Sequence, residues 1–182
     1  YKDFINAMWY QRDISIPSDW KGKEVMLNFG AVYYQAEIYI DGKFVKGHTG
    51  GSTSFSVNIT RYAAPGTTHS LVVYVKDDLR SGMQPGGKQC TNFFSQGCSY
   101  TRVTGLWQTV WMEAVSPEGL ESVYACPDID QKQLVVYPRF YHESDDRLTA
   151  TVLDGRKVVA VRSVRCANSD ILVLPIKKMK LW

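Results

Sequence analysis

The sequence predicts an all-β chain of two sandwiches in tandem. Three observations lead there. Apolar residues alternate with polar ones at period two in segment after segment, and none sustains a 3.6-residue helical period. Gly, Pro and Asp-Gly punctuation separates those segments at short intervals. Ser116-Pro117-Glu118-Gly119 then reads as a linker, which puts a boundary near residue 116.

The strands follow in chain order. Val25, Leu27 and Phe29 alternate with Met26 and Asn28, so one face of that strand is apolar. Ala36, Ile38 and Ile40 alternate with Glu37 and Tyr39 and run into Asp41-Gly42, a short hairpin signal before Lys43, Phe44 and Val45. Phe55, Val57 and Ile59 form a further strand, as do Leu71, Val73 and Val75; Val110, Met112 and Ala114 close this half. Beyond the linker, apolar runs at 120–125, 134–137, 148–152, 158–161 and 171–174 are short strands at sandwich spacing, with a turn at Asp154-Gly155. This second unit, about 65 residues with five or six strands, is lean for an immunoglobulin-like sandwich of ~7 strands and about 100 residues. Truncation at Trp182, leaving an apolar edge, is the expectation. Pro138 marks its strand as an edge or a bulge.

Composition excludes several classes of function. The 182 residues are 45% hydrophobic and 21% charged, a globular balance. A net charge of +3, with no cationic run beyond Lys177, Lys178 and Lys180, gives no nucleic-acid footprint. No apolar stretch approaches the ~18 residues of a membrane-spanning helix, so no membrane partner is expected. The chain opens on Tyr1 without a readable targeting signal, and its ends look like processing boundaries. A periplasmic or secreted location is favoured over a cytoplasmic one. Four cysteines (Cys90, Cys98, Cys126, Cys166) form no C-x-x-C pair, and three histidines are scattered, so neither a metal nor a cofactor is expected. Cys90 and Cys98 bracket a polar loop, either as a disulfide or as free thiols.

Residues 77–107 break the pattern. They lack alternation, carry Gly82, Gly86, Gly87, Gly97 and Gly105, and form a loop too long to be a mere connection. Lys88, Gln89, Asn92, Gln96 and Arg102 are interleaved there with Phe93, Phe94 and Tyr100. Flat apolar rings beside directional donors suit a pyranose, which offers hydroxyls on its rim and C–H groups on its face. Carbohydrate is therefore the expected ligand.

Certain segments together resemble a family. They are residues 8–12 (MWYQR), 27–32 (LNFGAV), 38–43 (IYIDGK), 47–51 (GHTGG), 55–60 (FSVNIT), 85–89 (PGGKQ) and 100–113. Their order and spacing resemble the N-terminal portion of family 2 glycoside hydrolases, which include β-galactosidases, β-glucuronidases and β-mannosidases. No single segment is specific, but the ordered set is. The resemblance is strong over 8–115 and weaker beyond. It implies that 1–115 is a jelly-roll, galactose-binding-like sugar-binding sandwich with N-terminal strands missing. It implies further that 116–182 is a truncated immunoglobulin-like sandwich, and that a downstream (β/α)8 barrel, absent here, holds both catalytic glutamates. Homo-oligomers are common in such a family.

No catalytic residue is expected in this chain. A retaining glycosidase needs two carboxyls about 5–5.5 Å apart on a rigid scaffold. The acidic clusters Asp77-Asp78, Asp128/Asp130 and Asp145-Asp146 instead sit at strand ends and turns. The candidate substrate-binding residues are Lys88, Gln89, Tyr100 and Arg102. Lys88 and Gln89 follow a Pro-Gly-Gly turn that would present their side chains. Arg102, with Tyr100, either reaches towards the barrel's substrate or clamps loop carbonyls. Ser99 stands where some relatives carry an acidic residue, which weakens the case for carboxylate-assisted sugar contact. His48 is expected to pack in its turn, Trp107 to pack in the core or between domains, and the Asn58-Ile59-Thr60 sequon to be structural. An autonomous carbohydrate-binding module and a purely structural sandwich pair are the alternatives.

Overall fold

The structure is a computed structural model that describes residues 3–180; Trp182 and the edge expected there lie outside the described residues. The chain divides into two compact units after Val115. The first contains β1 (Ala7–Ser15), β2 (Glu24–Phe29), β3 (Val32–Tyr33), β4 (Gln35–Ile40), β5 (Lys43–Thr49), β6 (Phe55–Asn58), β7 (Thr68–Lys76), β8 (Gly105–Leu106) and β9 (Val110–Val115). The second contains β10 (Leu120–Asp128), β11 (Gln133–Phe140), β12 (Ser144–Asp154), β13 (Lys157–Cys166) and β14 (Leu172–Pro175). The fold is all-β.

In the first unit a four-stranded sheet of order β1-β7-β4-β5 faces a three-stranded sheet of order β6-β2-β9, with the short β3-β8 pair beside them. All neighbouring strands are antiparallel. The period-two residues supply the core: Ala36, Ile38 and Ile40 of β4, Leu71, Val73 and Val75 of β7, and Val25, Leu27 and Phe29 of β2 are all buried. Each large side chain removed from water in this way contributes ~1.5–3 kcal/mol. The β4–β5 hairpin turns on Asp41 (φ 49°) and Gly42 (φ 76°), two consecutive left-handed residues whose twist matches that of the flanking strands.

In the second unit the sheets β10-β11-β14 and β12-β13 close on Val136, Leu172 and Leu174, with Leu148, Ala150, Val152, Ala160 and Val164 packed against them. Pro138 pairs with Val123, but β14 reaches only Gln133 to Val136 of β11. The proline thus sits where its strand has lost one neighbour, and its missing N–H breaks no ladder on that side.

Two features were not legible in the sequence. β1 hides its period because Trp9 is on the solvent face, 66% exposed, while Tyr10 packs on the core. Trp107 is outside the core at 41% exposure; its indole N–H donates to the Gly51 carbonyl at 2.8 Å, and its ring lies 6.5 Å from that of Tyr33.

Gly105 opens β8 with φ 103°, and a Cβ there would lie 2.0 Å from the Tyr10 hydroxyl oxygen. That hydroxyl accepts the Leu106 N–H at 3.3 Å, so it cannot simply turn away. Gly105→Ala is expected to cost ~2 kcal/mol or more, since strained backbone and steric clash add. A urea midpoint unchanged from the parent chain would show that the approach is not tight.

Candidate functional site

The long segment between β7 and β8, residues 77–104, is held at its base by one buried carboxylate. Asp77 is 1% exposed. Its Oδ1 accepts from Gln84 Nε2 at 2.6 Å and its Oδ2 accepts from Thr104 Oγ1 at 2.9 Å. Its own N–H donates to the Asn6 carbonyl at 2.8 Å, and the Asp78 N–H donates to Gln84 Oε1 at 3.1 Å. One side chain thus joins both ends of the loop, and its backbone joins the segment before β1. A buried charge without such donors would be expelled, so the bonds are a condition of its burial.

Further along, the loop folds back on itself. Gln89 and Tyr100 form a parallel bridge: the Tyr100 N–H donates to the Lys88 carbonyl at 2.6 Å and the Cys90 N–H to the Tyr100 carbonyl at 2.7 Å. Gln96 and Ser99 make a second, antiparallel bridge. Cys90 is buried and Cys98 exposed, both as free thiols, and the Cys90 thiol donates to the Phe94 carbonyl at 3.2 Å.

The four candidate residues divide in pairs. Lys88 is exposed and its Nζ lies 6.0 Å from the Tyr100 ring, itself 64% exposed; these two face solvent together. Gln89, expected to be presented by the Pro-Gly-Gly turn, points inward. Its Oε1 accepts the Val103 N–H at 2.7 Å, and its Nε2 is buried without an acceptor among the described residues. Arg102 is half-buried and donates to the carbonyls of Asn92 and Phe93, the latter at 3.4 Å. Its guanidinium stands 4.1 Å from the centre of the Phe4 ring. In this geometry Arg102 clamps the loop.

Outside the loop, His48 stacks on Phe55 at 3.8 Å, and Phe55 stacks on buried Phe29 at 4.7 Å. Burial pushes the His48 pKa down, which keeps the ring neutral for stacking. Asn58 Oδ1 accepts from the N–H and hydroxyl of Thr60, whose Oγ1 accepts the Val25 N–H at 2.8 Å, so the sequon residues tie β6 to β2. Among the described residues no group of three His, Cys, Asp or Glu side chains is gathered as a metal site.

Sequence reading missed a row of aromatics on the outer face of the four-stranded sheet. Trp9 of β1 lies 4.5 Å from Tyr74 of β7 and 6.4 Å from Tyr39 of β4, and Tyr39 lies 5.6 Å from Phe44 of β5. Trp9 pairs with Tyr74 and Tyr39 with Phe44 in register, so adjacent strands place these rings on one face. Aromatics at the outward positions of neighbouring strands carried the signal.

Comparison with known proteins now places this architecture. The family model for glycosyl hydrolases family 2, sugar binding domain, matches residues 2–90. Residues 2–90 belong to the sugar-binding domain of glycosyl hydrolase family 2. Within the family the chain is 31% identical over 87 residues to a β-glucuronidase of Paenibacillus borealis, covering 48% of this chain and 15% of that protein. It is 26% identical over 127 residues to a β-galactosidase of Thermoanaerobacter pseudethanolicus, covering 70% of this chain and 16% of the relative. The fold matches that of the Ruminococcus gnavus β-glucuronidase, solved in complex with D-glucuronic acid, with a TM-score of 0.75 and 21% identity over 99% of this chain and 32% of that one. The chain spans well under half the length of these relatives.

Removing the Asp77 carboxylate tests the base of the loop. Asp77→Ala leaves Gln84 and Thr104 without their acceptor and is expected to cost about 2 kcal/mol or more. Hydrogen exchange at the Cys90, Tyr100 and Val103 amides should accelerate with it. Exchange at those amides unchanged from the parent would show that the loop is held elsewhere.

Proposed function

We propose that this chain forms the non-catalytic sandwiches of a family 2 glycoside hydrolase, which hydrolyses O-glycosyl bonds in carbohydrate metabolism. A downstream (β/α)8 barrel carries the catalytic glutamates, and the loop 77–104 supports carbohydrate binding beside it. The match of residues 2–90 to a family 2 sugar-binding domain carries this reading. The acidic clusters support it, because each is engaged in local structure. Asp77 holds the loop base, Asp128 accepts from the Gln131 N–H at 2.9 Å and from Gln133 Nε2 at 3.0 Å, and Asp145 meets Arg165 at 3.4 Å. Lys88 and Tyr100 are the sugar contacts proposed for the loop; Gln89 and Arg102 act by holding its shape.

The aromatic row favours a second reading, an autonomous carbohydrate-binding module. Trp9 and Phe44 are 66% and 56% exposed, and exposed ring faces can meet the C–H faces of a sugar chain.

One set of measurements separates the two. The purified chain is expected to leave nitrophenyl β-galactoside and β-glucuronide intact and to bind sugar at roughly millimolar Kd, as a shallow site would. Tyr100→Ala is expected to weaken that binding several-fold and Trp9→Ala to leave it unchanged. The reverse pattern would favour the module, and hydrolysis by the chain alone would end the non-catalytic reading.

A further inference from the structure

The same loop also lines a separate open cleft of about 360 Å³, with Phe4, Arg80, Asn92, Phe93, Phe94 and Gln96 among its walls. That volume lies within the range of small-molecule sites. None of the lining groups was singled out by the family resemblance, and Arg80 was not among the candidates. The Arg80 guanidinium stands 4.0 Å from the centre of the Phe4 ring, which Phe93 meets edge-on at 5.0 Å. A guanidinium held over a ring keeps its in-plane N–H fork, which matches the paired oxygens of a carboxylate or sulfate. Beside it, Phe94 is 83% exposed, and the side-chain amides of Asn92 and Gln96 supply both donors and acceptors.

The charge balance here is one-sided. From residue 79 to residue 112 there is no Asp or Glu, while Arg80, Lys88 and Arg102 are all cationic. Asp77, two residues before this stretch, is buried with its oxygens taken by Gln84 and Thr104. The salt bridges among the described residues pair neither Asp78 nor Asp3 with Arg80, nor any other carboxylate with it. Asp3 lies by Arg102 in a neighbouring cavity. Arg102 grips the carbonyls of Asn92 and Phe93, so the rim is already ordered and less entropy is lost on binding.

We propose that this cavity binds an acidic sugar residue, carboxylated or sulfated, with Arg80 on the anionic group and Phe94 against the ring face. The proposal rests on the reading of the loop as a sugar-contacting element and names the charge class that the loop selects.

The test titrates the intact chain with trigalacturonic acid, a sulfated galactose oligomer and neutral galactotriose, at low and high salt. The acidic ligands are expected to bind about tenfold tighter than the neutral one, the range of one charge-assisted hydrogen bond. High salt should remove most of that advantage. Arg80→Gln should abolish the preference for the acidic ligands over the neutral one, and Phe94→Ala should weaken all three. A tighter carboxylated ligand would name the uronate source, and a tighter sulfated one the sulfate source; either outcome supports the site. Neutral sugar binding without an acid preference, or a preference that survives Arg80→Gln, overturns this proposal and leaves the loop reading intact. A chain that binds none of the three overturns both.

Discussion

The carboxylate of Asp77 is the constraint on which the site depends. Twenty-eight residues between β7 and β8, numbered 77–104, have no continuous ladder to hold them. A segment of that length is affordable only if its ends are pinned, because its conformational entropy must be offset by specific contacts. Asp77 pins both ends through Gln84 and Thr104 while its backbone N–H fixes Asn6. Burial makes the arrangement discriminating: a loop that closed without Gln84 and Thr104 in place would leave a buried carboxylate short of donors.

From that anchor the loop acquires two sides. On one, the Gln89–Tyr100 bridge carries Lys88 and the Tyr100 ring to the surface. On the other, Arg102 and Arg80 close on Phe4, and the Arg102 clamp shapes the turn bearing Phe93 and Phe94. The exposed Lys88 and Tyr100 are thereby kept apart from the Arg102 clamp. A rigid scaffold presenting an ordered but irregular loop is the usual arrangement for binding surfaces on β-sandwiches. The sandwich contributes stiffness, through the fully buried Phe29, Ile38 and Val75, and not the chemistry.

Much of the fold was legible because burial follows the pleat. Strands β4 and β7 carry clean alternation, whereas β2, central in its sheet, is buried on both faces; the Asp41-Gly42 turn has the backbone that its residue types favour. β1 was hidden because Trp9 and Gln11 face outward while Arg12 interrupts the inner face. The candidate site was legible only in part. Composition marked the loop as unusual, but direction is set by tertiary hydrogen bonds that no local pattern encodes. Gln89 turned inward for the Val103 N–H, and Arg102 found the carbonyls of Asn92 and Phe93. The Phe4–Arg80 contact joins residues 76 positions apart, and the aromatic row joins four strands, so both appear only once the chain is folded.

The most direct measurement is amide chemical-shift mapping of the chain during a galactoside titration, which reports the location of contact without any substitution. Shifts that concentrate on residues 80–104, with the largest near Lys88 and Tyr100, are expected if the loop anchored by Asp77 is the sugar-contacting element. Shifts centred instead on Trp9, Tyr39, Phe44 and Tyr74 would contradict that assignment and move the sugar to the face of the sheet.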